Sequence, residues 1–164
     1  DDGKRYQIIE GEVYMCPAPI PNHQRILTKL FKIIDHFVLE NDLGEVLLAP
    51  CDIIFSNENI VQPDIFFISK DRLHIITDKN IQGAPDLAVE IVSPPSLKID
   101  KLLKRNLYAK YGVQEYWIVD GGKREVEVLA LRDKAYGIKG KYKKGDTLES
   151  GLLKGLRIDL EVVF

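Results

Sequence analysis

Two stretches of this chain read as buried strands that carry acids. Gln62-Pro63-Asp64-Ile65-Phe66-Phe67 and Ala84-Pro85-Asp86-Leu87-Ala88-Val89-Glu90-Ile91-Val92 are short apolar, β-prone runs bounded by turn residues. A bare carboxylate inside a sheet is costly, so each acid has to be paired, protonated or bound to a cation. The chain must therefore adopt a fold that brings such a partner to these strands. Asp86 and Glu90 share one strand face but stand ~13 Å apart by strand rise, too far to share one ion. Asp86 is accordingly assigned to a sheet end or a turn. Asp64, at the start of an adjacent strand, can stand beside Glu90 across the ladder. Two carboxylates and a peptide carbonyl make an oxygen donor set that suits Mg²⁺ or Mn²⁺.

Around these strands the order of elements is legible. Residues 6–15 form two short strands about a turn at Glu10-Gly11. Pro17, Pro19 and Pro21 lead to Asn22, a candidate N-cap. Apolar residues from Ile26 to Val38 then recur at three- and four-residue steps, which predicts a helix stopping by Gly44. Strands are predicted over 46–56 and 60–69 with a turn at Asn57-Glu58-Asn59, and a polar connection over 70–83. After the strand that ends at Val92, Pro94 and Pro95 break the chain, Ser96 caps a second helix, and Gly112 ends it after Tyr111. Further strands fall at 115–119, 125–131 and 156–164, with a Lys-, Gly- and Tyr-rich loop or exposed hairpin from Arg132 to Lys144. Helix, three strands, helix and strand give a mixed α/β (α+β) sheet with helices on its faces.

A length of 164 residues is that of a single domain, 1–164, able to bury a substantial core. No apolar run approaches the ~20 residues of a membrane span, and no signal-peptide pattern is present, so the expected location is cytoplasmic. Cys16 and Cys51 lack metal-ligand spacing and read as small buried hydrophobes. The net charge of −2 conceals a split: residues 1–97 hold 8 basic and 15 acidic side chains, residues 98–144 hold 13 and 6. An acidic centre beside a basic surface is compatible with a cation and a polyanion, although the balance excludes a strongly basic nucleic-acid coat.

The residues also carry a resemblance. Pro63-Asp64 followed by Glu90-Ile91-Val92, within helix, three strands, helix and strand, resembles the PD-(D/E)xK nuclease superfamily. More closely, the chain is similar to the Uma2 (DUF820) group of restriction-endonuclease-like proteins. The likeness spans Ile8-Ile9-Glu10-Gly11-Glu12, His23-Gln24, Gln62-Pro63-Asp64, Gly83 to Pro94, Asp100 with Lys104, Leu107-Tyr108, Gly112 to Asp120 and Gly155-Leu156. It implies a restriction-endonuclease-like mixed sheet with an αβββαβ core, an N-terminal hairpin and a C-terminal β extension. It further implies that Asp64 and Glu90 bind a metal and that Glu12 adds a carboxylate. Val92 stands where the superfamily's third motif has lysine. The resemblance offers Lys104, on the following helix, as the replacement, with Lys101 one turn away as competitor.

Each residue has a plainer reading. Asp64 could cap a turn, Glu12 could be a surface acid of the hairpin, and Lys104 could sit in solvent paired with Asp100, four residues earlier. His23 suits either a phosphate contact or a cap, and Trp117 and Tyr116 suit core packing. The leading expectation is an endodeoxyribonuclease in which Mg²⁺ or Mn²⁺, held by Asp64, Glu90 and the Ile91 carbonyl, activates water against DNA phosphodiester bonds, with Lys104 orienting that water. The rival is a catalytically inactive nuclease-fold module for nucleic-acid binding or assembly. Duplex cleavage calls for two sites, so a homodimer or higher homo-oligomer is expected, with 156–164 pairing across a two-fold axis.

Overall fold

The computed structural model describes residues 4–93, 97 and 99–164. In chain order the elements are β1 (Arg5–Ile9), β2 (Glu12–Cys16), α1 (Pro21–Glu40), β3 (Gly44–Leu48), β4 (Ile53–Ser56), β5 (Asn59–Val61) and β6 (Ile65–Ser69). A 3₁₀ segment (Lys70–Ile75), β7 (Ile81–Gln82), β8 (Leu87–Val92), a π-helical turn (Ile99–Lys104) and α2 (Arg105–Tyr111) follow. The chain ends with β9 (Glu115–Asp120), β10 (Glu125–Arg132), β11 (Ala135–Lys143), β12 (Thr147–Glu149), β13 (Arg157–Asp159) and α3 (Leu160–Val163).

The main sheet has the strand order β11-β10-β9-β8-β6-β3. β8 lies antiparallel to β6, with Ile65 opposite Val89, and parallel to β9, with Glu90 opposite Ile118. A parallel pair needs a crossover, and the π turn with α2 supplies it. The αβββαβ core is thus α1, β3, β6, β8, α2 and β9. β10 and β11 extend the sheet on one side.

Prolines divide each of the two predicted long strands. Pro50 and Pro63 lack the N–H that a ladder requires, and near them the chain changes sheets. β3 and β6 stay in the main sheet, whereas β4 and β5 join the hairpin β1–β2 and β7 in a second sheet of order β2-β1-β5-β4-β7. At the N-terminal hairpin, Glu10 and Gly11 both take positive φ, as a tight turn of this hand demands.

Opposite faces of the main sheet meet different partners. Ile65, Phe67, Val89, Ile91, Trp117 and Val119 pack with Ile26, Leu30, Ile34 and Val38 of α1. Phe66, Ile68, Ala88, Val92, Tyr116 and Ile118 pack with Leu107, Tyr108 and Ala109 of α2 and with Ile9, Ile53 and Val61 of the second sheet. β8 is covered on both faces, and all six of its residues are buried, Glu90 among them.

Local expectations change at three places. α1 begins at Pro21 with Ile20 as N-cap and no capping side chain, so Asn22 is inside the helix; proline's fixed φ suits that first position. The second helix is a π turn followed by seven α-helical residues, ended by Gly112 at φ +87°; Pro94, Pro95 and Ser96, the expected break and cap, lie outside the described residues. The C-terminal strand stops at Asp159, whose carboxylate accepts from the Glu161 N–H (2.8 Å) and turns the chain into α3. Leu156, Ile158, Leu160 and Val163 are buried with α1 side chains, so the apolar face expected to pair between copies is used within the chain. Among the described residues no helix is long and apolar enough to cross a membrane.

Candidate active site

Asp64 precedes β6, and its carboxylate reaches the far end of β8. Oδ2 accepts from the Ile91 N–H (2.7 Å) and from His23 Nε2 (3.1 Å) on the first turn of α1. A carboxylate only accepts, so the His23 proton in this contact is on Nε2. His23 Nδ1 is buried and has no partner among the described residues. Since the N–H and C=O of a strand residue point to the same edge, the Ile91 carbonyl faces the side on which Asp64 sits.

Glu90 shares the face of β8 that carries Ala88 and Val92, beneath the second helix. Its Oε1 accepts from Lys104 Nζ (2.8 Å) and from the Tyr108 hydroxyl (2.7 Å). Lys104 also pairs with Asp100 Oδ1 at 3.2 Å. Glu90 is 4% exposed, and Lys104 and Asp100 are 3% exposed. This is a buried network, unlike the solvated Asp100–Lys104 surface pair that helix spacing alone suggests.

Burial raises the Glu90 carboxyl to about 8, Asp100 and Asp64 add to the rise, and Lys104 opposes it. Burial by itself would lower the Lys104 ammonium, yet Glu90, then Asp100 and Asp64, hold it above its ordinary value. Lys104 stays charged, and its one ammonium pairs with both Glu90 and Asp100 while Asp64 adds to the negative field. The resulting shortage of positive charge is met by a proton on Glu90 or by a cation. Tyr108 and Tyr116 are raised well above their ordinary range, chiefly by burial, and stay protonated as donors. The Tyr116 hydroxyl holds the Asp100 carbonyl at 3.0 Å.

Asp64, Ile91, Glu90 and Lys104 therefore meet at one end of the main sheet. Glu12 is exposed on β2 opposite Ile9, and none of its side-chain contacts among the described residues joins it to this group. Lys101 is half-buried outside the network. Asp86 sits at the opposite end of β8, paired with Arg72 (2.7 Å) and accepting from the Ser69 N–H and Gln114 Nε2. Trp117 is core, its indole N–H donating to Glu115.

Tyr108 is the site residue that sequence reasoning missed, although its spacing carried a signal. Asp100, Lys104 and Tyr108 follow one another at four-residue intervals, the spacing that puts them on one helix side. A regular helix assigns that side to solvent beside the apolar stripe of Ile99, Leu103 and Leu107. The π turn, with its extra residue, brings it over β8.

For a divalent cation the donor chemistry fits. Among the described residues, Asp64 Oδ1 and Glu90 Oε2 accept no hydrogen bond, and the Ile91 carbonyl lies toward Asp64. These are hard oxygen donors, and so few of them suit an ion that keeps several waters. No group of three or more His, Cys, Asp or Glu is gathered at ligand distance among the described residues, which argues against a site closed by protein ligands.

Comparison with known proteins agrees with this architecture. The Uma2 family model, described as "Putative restriction endonuclease", matches residues 1–161. Among solved structures, that of "a putative nuclease belonging to DUF820" from Anabaena variabilis ATCC 29413 is similar, with a TM-score of 0.79 and 20% identity over 97% of this chain and 89% of that one. At that identity the likeness is one of fold. No curated protein matches the chain.

Proposed function

The chain belongs to the Uma2 family, and from that premise we propose that it is a divalent-metal-dependent endonuclease that hydrolyses DNA phosphodiester bonds. The observation that carries this reading is the buried Lys104 ammonium, 2.8 Å from Glu90 at the strand end where Asp64 is tied to the Ile91 N–H. Val92, in the position of the superfamily's motif lysine, is buried among apolar side chains. An ammonium delivered from the following helix supplies the missing charge at the same carboxylate.

In this reading Asp64, Glu90 and the Ile91 carbonyl hold Mg²⁺ or Mn²⁺. When bound, the ion supplies Lewis-acid polarisation of the scissile phosphate and acidifies the attacking water. His23 and the Ile91 N–H fix one oxygen of Asp64 and leave the other free. Tyr108 and Lys104 do the same for Glu90. Lys104 provides positive charge and N–H donors where negative charge develops. Glu12, exposed on β2, remains a candidate for a further carboxylate.

The test is cleavage of supercoiled plasmid and of single-stranded DNA with Mg²⁺ or Mn²⁺, comparing wild type with Glu90→Gln and Lys104→Ala. We expect metal-dependent nicking by wild type, none by Glu90→Gln, and an unchanged or higher melting temperature for Glu90→Gln because one acid of three is neutralised. Lys104→Ala is expected to lose cleavage and also about 3–5 kcal/mol of stability, since it strands buried carboxylates. Melting curves recorded on the same samples separate loss of the ammonium from loss of the fold. Cleavage that persists in Glu90→Gln rejects the assignment. Calorimetry without ion binding, together with an inactive wild type, favours the non-catalytic module. Conversion of nicked to linear plasmid, with the mass measured in solution, tests the expected homo-oligomer.

A further inference from the structure

A groove of about 430 Å³ runs between α2 and the start of β11. Lys101, Arg105 and Lys110 line it from the helix side and Lys134 from the β10–β11 turn. Ala109 and Ala135 are also among its lining residues, and small side chains there leave it open. No acid lines it. Asp100 and Lys104 form the buried pair of this helix, and Lys101 and Arg105 each follow one member by one residue. The same turn that seals Lys104 against Glu90 therefore presents two cations outward, four residues apart.

Arg105 gives one N–H to the Tyr136 carbonyl (3.1 Å), which fixes its guanidinium at the groove wall and leaves other donors free. A neighbouring depression also includes Lys101, with Lys123 and Lys141, but it contains Asp120, Glu125 and Glu127 as well. Its Lys141 is already paired with Glu127 at 3.4 Å. Of the two, the α2 groove is the one whose described lining residues include cations and no acid.

We propose that this groove, on the helix that delivers Lys104 to Glu90, is the track for the DNA sugar-phosphate backbone. The choice of DNA as the polyanion rests on the nuclease reading above. From Lys101 to Lys110 the π turn and α2 rise roughly 13 Å, long enough for more than one phosphate of a single strand to lie along them. Four cations line that span. They contact phosphates and not base edges, so binding is strongly salt-dependent and indifferent to sequence.

The experiment is fluorescence anisotropy of a short labelled DNA duplex across a range of NaCl, in EDTA so that nothing is cut. Wild type is compared with a variant carrying Lys101→Gln, Arg105→Gln, Lys110→Gln and Lys134→Gln. A control of equal net charge carries Lys32→Gln, Lys79→Gln, Lys143→Gln and Lys154→Gln on other exposed surfaces. The groove variant should bind on the order of 100-fold more weakly, with a salt slope shallower by about three to four, while the control stays within about threefold of wild type. Melting curves check folding; if the fourfold groove variant is unstable, the exposed pair Lys110→Gln and Lys134→Gln carries the test with a slope change of about two.

An unchanged salt slope in a folded groove variant overturns the proposal, as does an equal loss in the control or a wild type that does not bind duplex. Plasmid cleavage is scored separately. Cleavage by wild type with an unaffected groove variant rejects the groove alone, whereas groove-dependent binding without cleavage rejects the nuclease and leaves the groove standing.

Discussion

Glu90 concentrates the electrostatics of this protein in one side chain. In the folded chain its carboxyl is raised from an ordinary 4.5 to about 8, mainly by burial. The folded state thus holds this proton more tightly than the unfolded chain does. That contribution to stability is complete below about 4.5 and is lost as pH rises through about 8. Lys104, raised above its own ordinary value, loses its contribution only at more alkaline pH and does not enter this window. The melting temperature of metal-free wild type should fall between those limits, and Glu90→Gln should lack this part of the fall, a difference on the order of 5 °C at pH 8. Equal slopes in thermal melts of the two proteins would sink the raised Glu90 value.

At the scale of elements, the corners decide where the site residues point. Gly44 starts β3 at φ +147°, and a Cβ there would lie 2.1 Å from the Ile68 carbonyl oxygen. The junction from α1 into the main sheet therefore requires glycine. Gly44→Ala should cost at least about 2 kcal/mol in urea unfolding, with the helix content of the folded state preserved. The π turn is a second such corner. Periodicity locates a helix between Val92 and Gly112 but treats it as regular, which places Lys104 and Tyr108 beside the apolar stripe and away from Glu90. In the structure both reach the carboxylate from this wider turn and the helix that follows it.

Across the whole molecule, a second buried acid ties the C-terminal segment to the sheet. Glu115 at the start of β9 accepts from Trp117 Nε1, Ser150 Oγ and the N–H groups of Gly151 and Leu152, at 2.6–3.1 Å. It is 1% exposed. Four donors satisfy it, so this acid shapes the fold without the charge shortage found at Glu90. Glu115→Ala should strand several of these donors, lower stability by about 3 kcal/mol, and speed proteolysis after residue 145. Unchanged proteolysis would mean that the segment is held chiefly by Leu153, Leu156 and Ile158 in the core.

Much of this protein can be read along the chain. The apolar period from Ile26 to Val38, the all-apolar run through Val92 and the glycines at turns fix α1, β8 and the hairpins, because local sterics and burial act over a few residues. Acids within β-prone runs mark Asp64 and Glu90 as exceptional, since desolvation of a carboxylate is costly in any fold. Tertiary structure alone decides the rest. Prolines announce breaks but not which of two sheets a strand joins, because pairing depends on distant edges. Glu90, Asp86 and Glu115 are all buried acids in the fold, yet Arg72 and peptide N–H groups satisfy two of them. The third meets a lysine fourteen residues later, a pairing across the fold that helix periodicity does not encode.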